Sequence, residues 1–144
     1  MKNRFLRSIC FALIFIGGPA ISAQAQTTEP GKYIFEQDTQ VAKVQPGPHA
    51  GGGESVGYSF FDGAKDFPTA FKKRVLKPGS SIGYHPQKED EVYYILSGTG
   101  QMKMNGKTFP VKPGDAILTR PGSSHGLTPD NDQELTLIIV YPKH

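Results

Sequence analysis

Residues 91–119, EVYYILSGTGQMKMNGKTFPVKPGDAILT, hold four short runs of β-forming residues with a turn signal between each pair. Asn105-Gly106, between Gln101–Met104 and Thr108–Val111, is a two-residue hairpin signal, because a type I′ turn needs positive φ at both central positions. Lys112-Pro113-Gly114-Asp115 reverses the chain again, Pro setting φ and Gly relieving it. On either side stand Glu91–Leu96 and Ala116–Thr119. The same punctuation continues outward: Ser55–Phe61, Ala70–Leu76, Ser81–His85, Gly126–Thr128 and Leu135–Tyr141 read as strands, with Lys77-Pro78-Gly79 a further turn. No segment repeats apolar residues at i, i+3, i+4 and i+7, so long helices are not expected. The fold class expected is all-β, as a closed barrel or double sheet.

The chain has 144 residues, the size of about one domain, and at 37% hydrophobic and 20% charged it is neither disordered throughout nor polytopic. Its net charge of +3 is concentrated at the start. Lys2, Arg4 and Arg7 precede the apolar run Ile9–Ile16, and small residues ending in Ala23-Gln24-Ala25 follow, the pattern of a secretory signal peptide. The domain expectation is a signal peptide over 1–25, an N-terminal arm over 26–54 and a β-barrel domain over 55–144. Without residues 1–25 the chain carries 13 bases against 13 acids and no cysteine. Nucleic acid is therefore not an expected partner, since that affinity comes largely from clustered Lys and Arg. Disulfides and thiolate chemistry are excluded in the mature chain, no stable membrane insertion is expected after cleavage, and the expected location is periplasmic or secreted.

Four histidines carry the chemistry to weigh: His49, His85, His125 and His144. His85 and Gln87 are two apart, which on a strand points both side chains to one face. Glu91 opens the next strand, and His125 lies just past Pro121-Gly122. If two sheets face each other, His85, Gln87, Glu91 and His125 can converge as an N/O donor set for a divalent metal. The alternative leaves both histidines beside surface turns. With Glu91 inward, Tyr93 and Ile95 share its face and Tyr94 takes the other, making Tyr93 a candidate catalytic proton donor, or else a barrel-filling aromatic. Lys72, Arg74 and Leu76 likewise share a face, and Arg74 is the candidate substrate-binding residue for a carboxylate, solvated edge charge being its competitor. His49 follows Pro46-Gly47-Pro48 and could cap a barrel mouth; a flexible surface position is the commoner outcome for such a residue.

Gly79, His85, Gln87, Glu91 and Gly98 fall at the spacing G-x5-H-x-H-x3–4-E-x6-G with Gln for the second His, and Gly114, Gly122 and His125 fall at that of G-x5-P-x-G-x2-H-x3-N. Residues 70–141 thus resemble the cupin superfamily, with both motifs in order. The resemblance implies a cupin-type jelly-roll β-barrel. It also implies a metal held by His85, Glu91 and His125, with Gln87 where the second motif His usually stands. A Gln carbonyl is a neutral oxygen donor, which tilts the site toward harder ions and away from copper. Arg120 stands at the family's Pro position and Pro129 at its Asn position. The ion expected is one divalent Mn, Fe, Zn or Ni. Open coordination positions suit Lewis-acid chemistry on a small oxygenated substrate, a carbohydrate or organic acid, by an isomerase, lyase or dioxygenase type of reaction. Capture of a small molecule without turnover is the alternative, and a homodimer fits the family's habit.

Overall fold

The computed structural model describes residues 33–143, so the expected signal peptide lies outside the described residues. One short helix, α1 (Asp38–Val41), leads into ten strands: β1 (Ala42–Gly47), β2 (Gly52–Phe60), β3 (Thr69–Leu76), β4 (Ile82–Pro86), β5 (Glu91–Ser97), β6 (Gly100–Met104), β7 (Lys107–Val111), β8 (Ala116–Thr119), β9 (Ser124–Pro129) and β10 (Leu135–Pro142). The strands form a six-stranded sheet, β1-β2-β3-β10-β5-β8, and a four-stranded sheet, β4-β9-β6-β7. Every pairing is antiparallel, and neighbours distant in sequence alternate across the sheets in a jelly roll. None of the described helices is long and apolar enough to cross a membrane.

The hairpin at Asn105-Gly106 forms as its sequence requires: Met104 pairs with Lys107, and the two turn residues have φ of 48° and 79°. The glycines that set the motif spacing, Gly79, Gly98, Gly114 and Gly122, all sit at φ between 76° and 93°. At Gly98 the reason is also one of space, because a Cβ there would overlap the carbonyl oxygen of Glu134.

Within the expected arm, Tyr33, Ile34 and Phe35 form no strand and are exposed, whereas Pro46-Gly47 closes β1 at the edge of the large sheet. An edge strand tolerates the missing proline N–H.

Leu76, Ile82, Ile95, Met102, Leu127, Leu135 and Leu137 fill the space between the sheets, each at most 2% exposed. Burial of one such side chain stabilises by about 1.5–3 kcal/mol. This packing occupies one end of the sandwich only. Along β5 the inward residues run Glu91, Tyr93, Ile95, and along β3 they run Lys72, Arg74, Leu76. Both strands run in the same direction, since each is antiparallel to β10 between them. The interior therefore changes from polar to apolar along a single axis, and a cavity of about 510 Å³ opens at the polar end.

Candidate functional site

Three strands deliver the donors. His85 comes from β4, Glu91 from β5 and His125 from β9, so both sheets contribute. Direct pairing of His85 with His125 across β4 and β9 makes their meeting a matter of register. One ligand atom from each of His85, Glu91 and His125 lies within 4.8 Å of the others. His125 is fully buried and Glu91 is 8% exposed.

Hydrogen bonding decides how the ring nitrogens present themselves. His85 Nδ1 is 2.8 Å from the Gly83 carbonyl, which can only accept, so Nδ1 carries the proton and Nε2 of the neutral ring is a bare lone pair. His125 Nδ1 is 2.7 Å from Thr119 Oγ1, and the two Nε2 atoms face each other at 3.2 Å. If Nδ1 of His125 also donates, two lone pairs confront one another, and only a proton or a cation between them relieves the contact. Outward-facing ring N–H groups held by a carbonyl or hydroxyl are the usual support of metal-binding histidines. Glu91 Oε2 lies 3.2 Å from His125 Nε2, yet it has no hydrogen-bond partner although buried. A buried carboxylate oxygen without a donor costs about 1–3 kcal/mol or more. Two imidazole nitrogens and an orphaned carboxylate oxygen make a donor set that fits a divalent cation.

Gln87 lies beyond the end of β4, not on a shared strand face with His85. Pro86 closes the strand, and the Gln87 backbone pairs with the turn before β9: its N–H donates to Ser123 O (2.8 Å) and its carbonyl accepts from Gly122 N–H (3.2 Å). Its side chain is buried and lines the same cavity. Tyr93 is 3% exposed, its ring beside that of His125 and its hydroxyl 3.5 Å from His125 Nε2. Burial, then the neighbouring Glu91 carboxylate, push its phenol well above the usual range, which keeps the hydroxyl protonated. Tyr94 points outward as alternation requires.

Arg74 is 8% exposed and borders the cavity. Its NH1 donates to Ser55 Oγ at 3.1 Å, and with the Gln45 amide turned oxygen-inward both terminal nitrogens donate to Gln45. The guanidinium packs over Gly57, where a Cβ would crowd it. Its Nε has no partner, and burial lowers its pKa from the ordinary value. Lys72 stands two residues away on the same wall, its ammonium 5.1 Å from the centre of the Tyr141 ring. The cavity thus has a cationic side wall facing its carboxylate-histidine floor.

One participant escaped the sequence reading, and another was given second place in it. Thr119, opposite Glu91 across β5 and β8, supports His125; period-2 alternation along β8 is the signal that finds it. His49, weighed above as a cap on the barrel mouth, is exposed, yet its ring stacks on His85 at 3.4 Å with planes 7° apart and it lines the cavity. Burial and the adjacent His85 lower its pKa.

Residues 73–141 match the cupin domain family, both motifs included. The chain belongs to the cupin superfamily. This cupin is 42% identical over 73 residues to an oxalate-binding protein of Thermotoga maritima, a match covering 49% of the present chain and 60% of that protein's length. The crystal structure of a "predicted oxalate decarboxylase" from Thermotoga maritima superposes with a TM-score of 0.67 at 27% identity, covering 77% of this chain and all of that one. A polyketide cyclase from Streptomyces resistomycificus superposes with a TM-score of 0.68 over 78% of this chain and 81% of its own, and at 22% identity it speaks for the cupin fold alone.

Proposed function

We propose that this cupin holds one divalent metal ion on His85, Glu91 and His125, and that the cavity above it receives a small oxygenated acid. The observation that carries the reading is the pairing of two unpartnered buried groups, Glu91 Oε2 on the floor and Arg74 Nε at the side. A cation satisfies the first and a carboxylate the second. Gln87 lines the same cavity and offers a neutral oxygen, which suits manganese, iron, zinc or nickel better than copper. When bound, such an ion would polarise a carbonyl or carboxylate oxygen. The chain's own residues supply the rest: Arg74 orients the acid, Tyr93 holds a proton at its buried hydroxyl, and Ile82 and Ile139 limit water on the apolar side. Isomerase, lyase or oxygenase chemistry follows according to the ion.

Capture without turnover is a second reading, supported by the naming of the Thermotoga relative for oxalate binding. Export directed by residues 1–25 belongs to the same proposal, and the ion would then be acquired outside the cytoplasm. The test is elemental analysis of protein purified from its native compartment, with His125→Ala and Glu91→Ala beside it. Both variants should lose the ion while keeping a β circular-dichroism signal; unchanged metal content in both overturns the assignment. Calorimetric titration with oxalate and larger hydroxy acids, with Arg74→Met as the comparison, tests the acid. Turnover in the same series separates an enzyme from a binder.

A further inference from the structure

β4, the strand that carries His85, is an edge of the four-stranded sheet, and among the described residues its only strand neighbour is β9. The register of that pairing shifts between Ile82 and His85, so Gly83 and Tyr84 stand opposite the single residue Gly126 of β9. The turn joining β1 to β2, residues 48–51, serves the free edge. Gly83 N–H donates to Pro48 O at 2.9 Å, and Ser81 Oγ donates to Gly51 O at 2.7 Å. Gly51 N–H closes the turn on Pro48 O at 3.1 Å, with His49 and Ala50 between them at φ of 53° and 58°. Left-handed backbone at two successive non-glycine residues is uncommon, and it persists where surrounding contacts impose it. Close approach is possible because Gly83 and Gly51 lack side chains; a Cβ on Gly83 would overlap the His49 carbonyl oxygen, and one on Gly51 that of Ser81.

The consequence falls on the His85 ring. Its Nδ1–H donates to Gly83 O, which fixes rotation about one axis, and the parallel His49 ring covers one face. His125 meets it edge-on, with planes at 69° and centres 4.6 Å apart. Gly83 therefore ties the strap down through its N–H and aims His85 through its carbonyl. His49 itself is poorly placed as a ligand. With the rings parallel and 3.4 Å apart, a cation in the plane of His85 lies far out of the plane of His49, where no lone pair points. Nor do its nitrogens join the cluster of His85, Glu91 and His125.

We propose that His49 is a positioning residue: the β1–β2 turn is a strap that stacks its imidazole on His85 and holds that ring's Nε2 toward Glu91 and His125. The inference rests on the metal reading above, and its test keeps the two apart. Metal-free full-length protein is titrated with Co²⁺, following the visible absorption of the bound ion, for wild type, His49→Gly and His49→Phe. Glycine deletes the ring while relieving the left-handed backbone, so loss of fold is not the expected result, and the thermal transition verifies that. His49→Gly should weaken Co²⁺ binding by roughly tenfold to a hundredfold, the range for groups that orient a metal ligand. His49→Phe, which keeps a flat ring on His85, should restore most of it. In the metal-free protein the NMR signals of the His85 ring protons should move when the stacked ring is removed and return toward their wild-type positions with Phe. Wild-type affinity in His49→Gly overturns the proposal, as does a loss in His49→Phe equal to that in His49→Gly, which would make a nitrogen of His49 the necessary group. Wild-type protein that takes up no Co²⁺ overturns the metal reading and this inference together, whereas Co²⁺-binding wild type beside an indifferent His49→Gly overturns this inference alone.

Discussion

Glu91→Gln should invert the stability order of the two proteins according to whether metal is present. Without metal, wild type buries Glu91 Oε2 with no hydrogen-bond partner, 3.2 Å from His125 Nε2. A glutamine amide removes the charge and brings an N–H donor within reach of that nitrogen, a net gain of about 1 kcal/mol. For a domain of this size that raises Tm by about 4 °C. With metal the sign reverses. A divalent cation and a carboxylate 4 Å apart interact by about 8 kcal/mol at an effective dielectric near 20, and if about a quarter survives desolvation the variant binds roughly thirtyfold more weakly. At a metal concentration of about 100 times the wild-type Kd, binding stabilises wild type by about 2.7 kcal/mol and the variant by about 0.9 kcal/mol. The transition should therefore rise by about 11 °C in wild type and by about 4 °C in Glu91→Gln, leaving wild type the more stable once metal is added. Differential scanning calorimetry with and without Zn²⁺ or Mn²⁺ reads both quantities. An equal metal increment in the two proteins refutes Glu91 as a ligand, and a metal-free variant less stable than wild type refutes the cost assigned to its unpaired oxygen.

Thr119→Val removes the partner of His125 Nδ1, so metal affinity measured by titration should fall by about tenfold or more, and the metal-free fold should lose about 1–3 kcal/mol in urea unfolding. Gly83→Ala should displace the strap, because its Cβ would overlap the His49 carbonyl oxygen; expected results are a lower Tm and a metal affinity as weak as that of His49→Gly. On the acid side, Thr99 and Gln101 hold the Asp130 carboxyl below its usual 3.8, and the Lys112 backbone N–H, then its side chain, does the same for Asp115. A depressed carboxyl pKa in the fold contributes stability above the unfolded value and loses it as pH falls through the folded one, so Asp130→Asn with Asp115→Asn should flatten the fall of Tm below about pH 4 relative to wild type.

How much the chain discloses depends on whether an element is set locally or by its neighbours. Asn105-Gly106 forms the expected hairpin because its backbone requirement is met by the two residues themselves. The alternation of Glu91, Tyr93 and Ile95 against Tyr94 places four side chains correctly because β5 has one face on the interior and one outside. Convergence of His85, Glu91 and His125 was legible through motif spacing, which encodes the pairing of β4 with β9 and the opposition of the two sheets. Residues 46–53 show the converse. Pro-Gly-Pro-His-Ala-Gly-Gly-Gly announces a turn, and β1 and β2 pair on either side of it, but its docking on Gly83 and Ser81, some thirty residues away, is not written in its own composition. Gln87 lines the cavity with His85 although Pro86 ends β4 one residue before it.

The distribution of polarity inside the sandwich ties these details together. At the apolar end, aliphatic residues from both sheets join the layers by direct burial. At the other end the large sheet presents Lys72, Arg74, Glu91 and Tyr93, and the small sheet presents His85 and His125. Such groups gain little from mutual burial and lose hydration, so this end gains more from directional partners than from area. Gln45 and Ser55 supply them for Arg74, Thr119 for His125 and Gly83 for His85. Glu91 Oε2 and Arg74 Nε are the buried side-chain atoms among the described residues without one, and both border the cavity. A fold that satisfies its other buried polar side chains there and leaves a carboxylate oxygen and a guanidinium nitrogen open supports the proposal of an occupant carrying charges of both signs. A cation on the floor with an acid above it is the simplest pair that meets both.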